Sequence, residues 1–233
     1  MLHENLTEIK QRIARAAARV NRSGADIKLV AVSKHVPPER ILKALDIGHR
    51  VFGENYVQEA LDKISYIKKI GGREAVFHFI GRLQSNKAKK AAEFFDVIET
   101  VDSIKLGLIL EKHCALLNKE LEAYVQVNIG AEKQKAGIQP EECEKLLRSL
   151  SQCRFLRITG LMTMPPFCPD PEDVRPFYRQ LRQLSEKLKA KSLLGRHGPV
   201  ELSMGMSGDF EVAIEEGATV IRIGTALFGA RSG

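Results

Sequence analysis

Eight times in succession the chain repeats one unit: a short apolar run rich in β-branched residues, a turn, and a stretch with apolar residues at helical spacing. Strands separated each time by a helix pair in parallel, and their crossovers are right-handed. The apolar runs fall at 27–33, 50–55, 75–81, 96–101, 121–130, 155–164, 199–205 and 218–224. An extra helix at 6–21 precedes them, its face made by Ile9, Ile13, Ala16, Ala17 and Val20, with Ser23-Gly24 as its stop. Pro37-Pro38 opens the next helix and Gly48 closes it. Further helices are predicted at 56–70, 85–94, 140–151, 174–191 and 209–216, with one more capped by Asp102 or Ser103 and reaching about 118. Eight units in 233 residues fit a closed α/β barrel of the (β/α)8 TIM type, occupying 1–233 as one domain. An open doubly wound sheet is the alternative that the pattern leaves standing.

Composition narrows the class. Apolar residues make up 44% and charged residues 28%, which is ordinary for a water-soluble globular chain. No apolar run reaches bilayer length, so no membrane span is expected. The opening MLHENLTEIKQR has no apolar segment of a secretory signal, and a cytoplasmic location is expected. Cys114, Cys143, Cys153 and Cys168 form no C-x-x-C pair, so we expect idle thiols, with no metal. The formal charge is +7, but the positive charges are scattered, mostly over helical stretches such as that of Lys187, Lys189 and Lys191, and acids are interleaved among them. With no tryptophan and four tyrosines there is no stacking platform, and no nucleic-acid partner is expected.

Barrels of this kind carry their chemistry where strands end. Lys34 follows the first strand, LVAVS, and a lysine amine beside apolar walls is a nucleophile toward carbonyls. The plain alternative is a lysine reaching to solvent. After strand seven, Gly205 and Gly208 flank Ser207; after strand eight comes Gly224-Thr225. Small residues with free backbone amides make a phosphate cradle, and barrels often place one there. Tight turns alone are the other explanation of those glycines. Arg222 alternates inward with Val220 and Gly224 if Ile221 and Ile223 face helices. Its buried charge needs a partner, either a ligand or an ion pair with Glu201 or Glu54. His78 reads as a core histidine, Asn55 as a helix start, His35 as a loop residue, and Glu54 as an acid or a partner of Arg82.

Those residues sit in stretches with a family likeness. LVAVSK, FGENYVQE, FHFIGRLQSNK, VQVNIGAEKQKAG, GLMTMPP and LSMGMSGDFEVAIEEGATVIRIGTALFG follow one another along nearly the whole chain. On them the chain resembles the pyridoxal phosphate homeostasis proteins, single-domain relatives of the alanine racemase barrel. The resemblance implies a fold-type III barrel with pyridoxal 5′-phosphate as cofactor, held as a Schiff base on Lys34. It implies a phosphate site around Ser203, Gly224 and Thr225 with backbone help near Met204, Arg222 facing the pyridine nitrogen, and Asn55 near the ring. Two departures, Arg82 in GRLQSNK and Lys135-Ala136 in KQKAG, touch none of these positions.

The implied role is vitamin B6 homeostasis, and through it amino-acid and keto-acid balance, with apo-enzymes dependent on the cofactor as partners. A cation opposite the pyridine nitrogen disfavours its protonation and weakens the ring as an electron sink. Racemisation needs a second base, which the racemases take from a further domain. Here the tyrosines are Tyr56, Tyr66, Tyr124 and Tyr178, and only Tyr56 lies near a strand end. A monomeric binding protein is therefore expected, with a racemase-like enzyme as the alternative.

Overall fold

The structure is a computed structural model that describes residues 1–71, 74–132 and 134–229. Eight parallel strands close into a barrel in sequence order. They are β1 (Lys28–Val32), β2 (Val51–Glu54), β3 (Val76–Phe79), β4 (Val97–Val101), β5 (Leu121–Gln126), β6 (Leu156–Met162), β7 (Glu201–Ser203) and β8 (Val220–Ile223). The closing seam pairs Lys28 with Val220 and Val30 with Arg222. The expected closed barrel stands, and the open sheet is excluded.

Around it run α1 (Leu2–Ala18), α2 (Pro38–Asp46), α3 (Val57–Gly71), α4 (Ala88–Phe94), α5 (Ile104–Leu117), α6 (Cys143–Leu150), α7 (Arg175–Ala190), α8 (Phe210–Glu215) and α9 (Thr225–Phe228). Ser103 caps α5, its hydroxyl accepting from Leu106 N at 3.2 Å. The first helix stops earlier than the sequence implied: Ser23 caps a separate short turn, Gly24–Asp26, instead of ending α1. Short α9 was not expected. No helix among the described residues is long and apolar enough to cross a membrane.

Period-two alternation sorts the strand residues. Phe52, Phe77, Phe79, Ile98, Val125, Leu161, Ile221 and Ile223 join the large core under the helices. Val30, Val97, Tyr124, Met162 and Val220 form a second, smaller core inside the barrel. Above that inner plug lies a buried polar layer of His78, Glu99, Ser203 and Arg222. Two irregular registers, in β4 and between β5 and β6, bend the wall near it.

Candidate functional site at the barrel mouth

A cavity of about 750 Å³ opens where the strands end, a size suited to a small ligand. Its wall comes from the turn after β1 (Lys34 to Pro37), the loop after β6 (Pro166 to Cys168), the loop after β7 (Met206 to Asp209) and the start of α9. Arg222 forms part of the floor. Gly205, at φ +97°, makes the turn out of β7; a Cβ there would lie 2.6 Å from that of Ala213. Gly224 lets the end of β8 approach β1, since its Cβ would come within 3.3 Å of Val32.

The floor is a satisfied network. Arg222 Nη1 donates to Ser203 Oγ at 2.5 Å and Nη2 to the Thr163 carbonyl at 2.8 Å. Ser203 Oγ donates onward to Glu99 Oε2 at 2.5 Å, and His78 Nδ1 lies 2.6 Å from Glu99 Oε1. Burial pushes the Glu99 carboxyl up, but His78, Arg222 and Ser203 together hold it below its ordinary value of 4.5. Arg222 thus reaches the cavity already oriented, with Glu99 3.8 Å away as counter-charge. The partner expected from the sequence was Glu201 or Glu54; Glu201 binds Lys28 and Thr219 instead. Glu54 faces outward to α3, where Lys63 Nζ lies 3.0 Å away; among the described residues its ion-pair partner is Lys63 and not Arg82.

A family model described as alanine racemase, N-terminal domain, matches residues 5–232. The pyridoxal phosphate homeostasis protein of Aquifex aeolicus is 41% identical over 228 residues, spanning 98% of this chain and 97% of its own. The protein of that name from Escherichia coli K12 is also 41% identical over 228 residues, spanning 97% and 95%. The chain belongs to the pyridoxal phosphate homeostasis protein family. PipY of Synechococcus elongatus, solved without pyridoxal phosphate, superposes at a TM-score of 0.87 with 35% identity, over 98% of this chain and 100% of that one. Its structure with pyridoxal phosphate bound superposes at 0.80 with 36% identity, over 93% and 100%.

Of the positions that the family likeness marked, the structure brings Lys34, Arg222, Gly224 and Thr225 onto one cavity wall. Ser203 and Met204 are not among the residues that line the cavity. The Ser203 hydroxyl lies beneath the floor, donating to Glu99, and Met204 is fully buried with its N–H given to Val220 O at 3.0 Å. Met206 and Ser207, just beyond them in the chain, do line it. Asn55 is not on the wall. It follows β2, with Oδ1 buried and without a hydrogen-bond partner among the described residues. The sequence reading also passed over Arg40, Phe167 and Cys168 as wall residues. Their signal is faint, because two lie in a proline-rich loop and the third on a helix. Burial pushes Cys114 up to about 11, Cys143 to about 12 and Cys153 to about 11, which disfavours their thiolate forms.

Proposed function

We propose that this chain binds pyridoxal 5′-phosphate at the barrel mouth, with Lys34 as the covalent anchor, and serves as a reservoir of that cofactor. One observation carries the reading: a primary amine, a guanidinium and the Gly224-Thr225 and Ser207 turns converge on a single cavity, in a family with a member solved with pyridoxal phosphate bound. The residues fit the group. Lys34 supplies the amine, Arg222 a donor for the ring nitrogen, and Ser207, Gly224 and Thr225 the small polar turns that accept a phosphate. Pyridoxal phosphate would supply an aldehyde carbon, on which a primary amine can condense with loss of water. The protein's own part is to hold the Lys34 amine at that aldehyde and to keep Arg222 in place through Ser203, Thr163 and Glu99. A cationic Arg222 beside the ring nitrogen opposes its protonation, which disfavours carbanion chemistry.

The role is storage and exchange of a reactive aldehyde in the cytoplasm by a monomer, with apo-enzymes as recipients and amino-acid and keto-acid balance as the distant effect. No tyrosine lines the cavity among the described residues; Tyr124 and Tyr178 are buried and Tyr56 projects to solvent beside His35. Two measurements test the reading. Borohydride reduction of the loaded protein followed by peptide mass analysis is expected to place the pyridoxyl group on Lys34. Exchange of amino-acid α-protons with deuterated solvent is expected not to exceed that of free pyridoxal phosphate; stereospecific exchange above it would establish an enzyme.

A further inference from the structure

Lys63 on α3 is 6% exposed, which is unusual for an ammonium group. Its Nζ lies 3.0 and 3.3 Å from the two Glu54 oxygens, 2.6 Å from Glu59 Oε1, and 2.6 Å from the Ser33 carbonyl oxygen. Ser33 Oγ donates to Glu54 Oε1 at 2.7 Å, and Ser33 N to the Gly53 carbonyl at 2.8 Å. On the other side of Lys34, His35 N donates to Glu59 Oε1 at 2.6 Å. The residues before and after Lys34 are therefore gripped by one linked cluster, Ser33 by Lys63 and Glu54, and His35 by Glu59, which Lys63 also binds. None of Glu54, Glu59 and Lys63 lines the cavity.

The grip has a reason in the backbone. His35 sits at φ +59°, a left-handed conformation that a non-glycine residue keeps only where its surroundings over-determine it. The His35 amide bond to Glu59 and the His35 ring against Tyr56, centroids 5.4 Å apart, supply that determination. A buried ion cluster is a weak source of stability, since apolar side chains of the same volume often do as well. What it supplies here that an apolar cluster cannot is a set of directed bonds to the backbone flanking Lys34. We infer that Lys63, with Glu54 and Glu59, is a positioning residue that fixes the turn carrying Lys34 and so sets the rate and strength of aldehyde capture. The inference rests on Lys34 being the anchoring amine. Capture demands that amine within about an ångström of its productive place, and a misplacement of that size can cost on the order of 10²-fold.

The test uses the full chain and the variants Lys63→Met, Glu59→Gln and, as a control on the far side of the barrel, Leu110→Ala. Amide hydrogen exchange of 33–36 is measured without ligand, and capture of pyridoxal phosphate is followed by absorbance at a temperature where each variant is folded. Lys63→Met is expected to speed exchange at 33–36 selectively and to slow capture and weaken affinity at least tenfold, with an altered visible circular dichroism band. Leu110→Ala is expected to change neither. Exchange and capture in Lys63→Met no worse than in the control would overturn the inference. Should Lys63→Met fail to fold, Glu59→Gln decides: slower capture with faster exchange at 33–36 supports the inference, and parental values overturn it. If the parent captures nothing at Lys34, the proposed function falls, and the exchange data still decide whether these side chains fix the turn.

Discussion

At the scale of single residues, some polar groups face the cavity, as Lys34 and Arg222 do, and others are consumed beneath it, as Ser203 and Glu99 are. Lys34 and Arg222 were legible because each lies at a strand end with the wrong chemistry for an apolar core. The bond from Ser203 to Glu99 was not legible, because strand alternation tells which face a residue takes but not whether a buried carboxylate waits behind it. That carboxylate, Glu99, comes from a strand 104 residues away in sequence and has no local signature. Glu99→Ala is expected to destabilise by about 3–5 kcal/mol, because Arg222 and His78 lose their buried partner. The sign of its pH dependence follows from the lowered folded value. The contribution of Glu99 is fully present above the ordinary 4.5 and disappears as pH falls through the depressed value. Urea midpoints of parent and variant should therefore lie far apart at neutral pH and converge in strong acid; a constant gap down to pH about 3 would contradict the network.

At the scale of elements, the order and type of every strand were readable, while their ends were not. The seventh strand was expected over 199–205 and is regular only over Glu201–Ser203, because Gly205 turns the chain outward at a positive φ. The fifth was expected to reach residue 130 and ends at Gln126, after which Val127 keeps one isolated bridge to Ile138. Such departures fall at the mouth, where loops take over from the ladder to shape a site. Gly81 shows how tight that mouth is. A Cβ there would lie 2.1 Å from the Asn55 carbonyl oxygen, backbone against backbone, with no side chain able to yield. Gly81→Ala is expected to cost about 2–3 kcal/mol and to weaken ligand binding by shifting the end of β2. An unchanged thermal midpoint in that variant would show that β2 and β3 are not locked together there.

At the scale of the whole molecule, the N-terminal helix ties the barrel's last units together. Asn5 Nδ2 donates to the Leu227 carbonyl, Arg12 pairs with Glu211 at 2.7 Å, and Arg19 pairs with Glu215 at 2.9 Å. Arg22 donates to the carbonyls of Ile214 and Ala218, at the start of β8. Leu6, Ile9 and Ile13 are nearly fully buried, each worth about 1.5–3 kcal/mol. A chain beginning at Ser23 is expected to unfold well below the parent temperature, read by calorimetry; an unshifted midpoint would make α1 an ornament of the fold. The sequence showed this helix but not its target, since amphipathicity reports a buried face without naming what covers it. The claim on which the rest depends is that this barrel anchors pyridoxal phosphate through Lys34. Its most direct test is the absorption spectrum of the purified protein with pyridoxal phosphate beside that of Lys34→Ala. A visible band in the parent that is missing from the variant is the expected result, and no band in either, or the same band in both, would contradict the account.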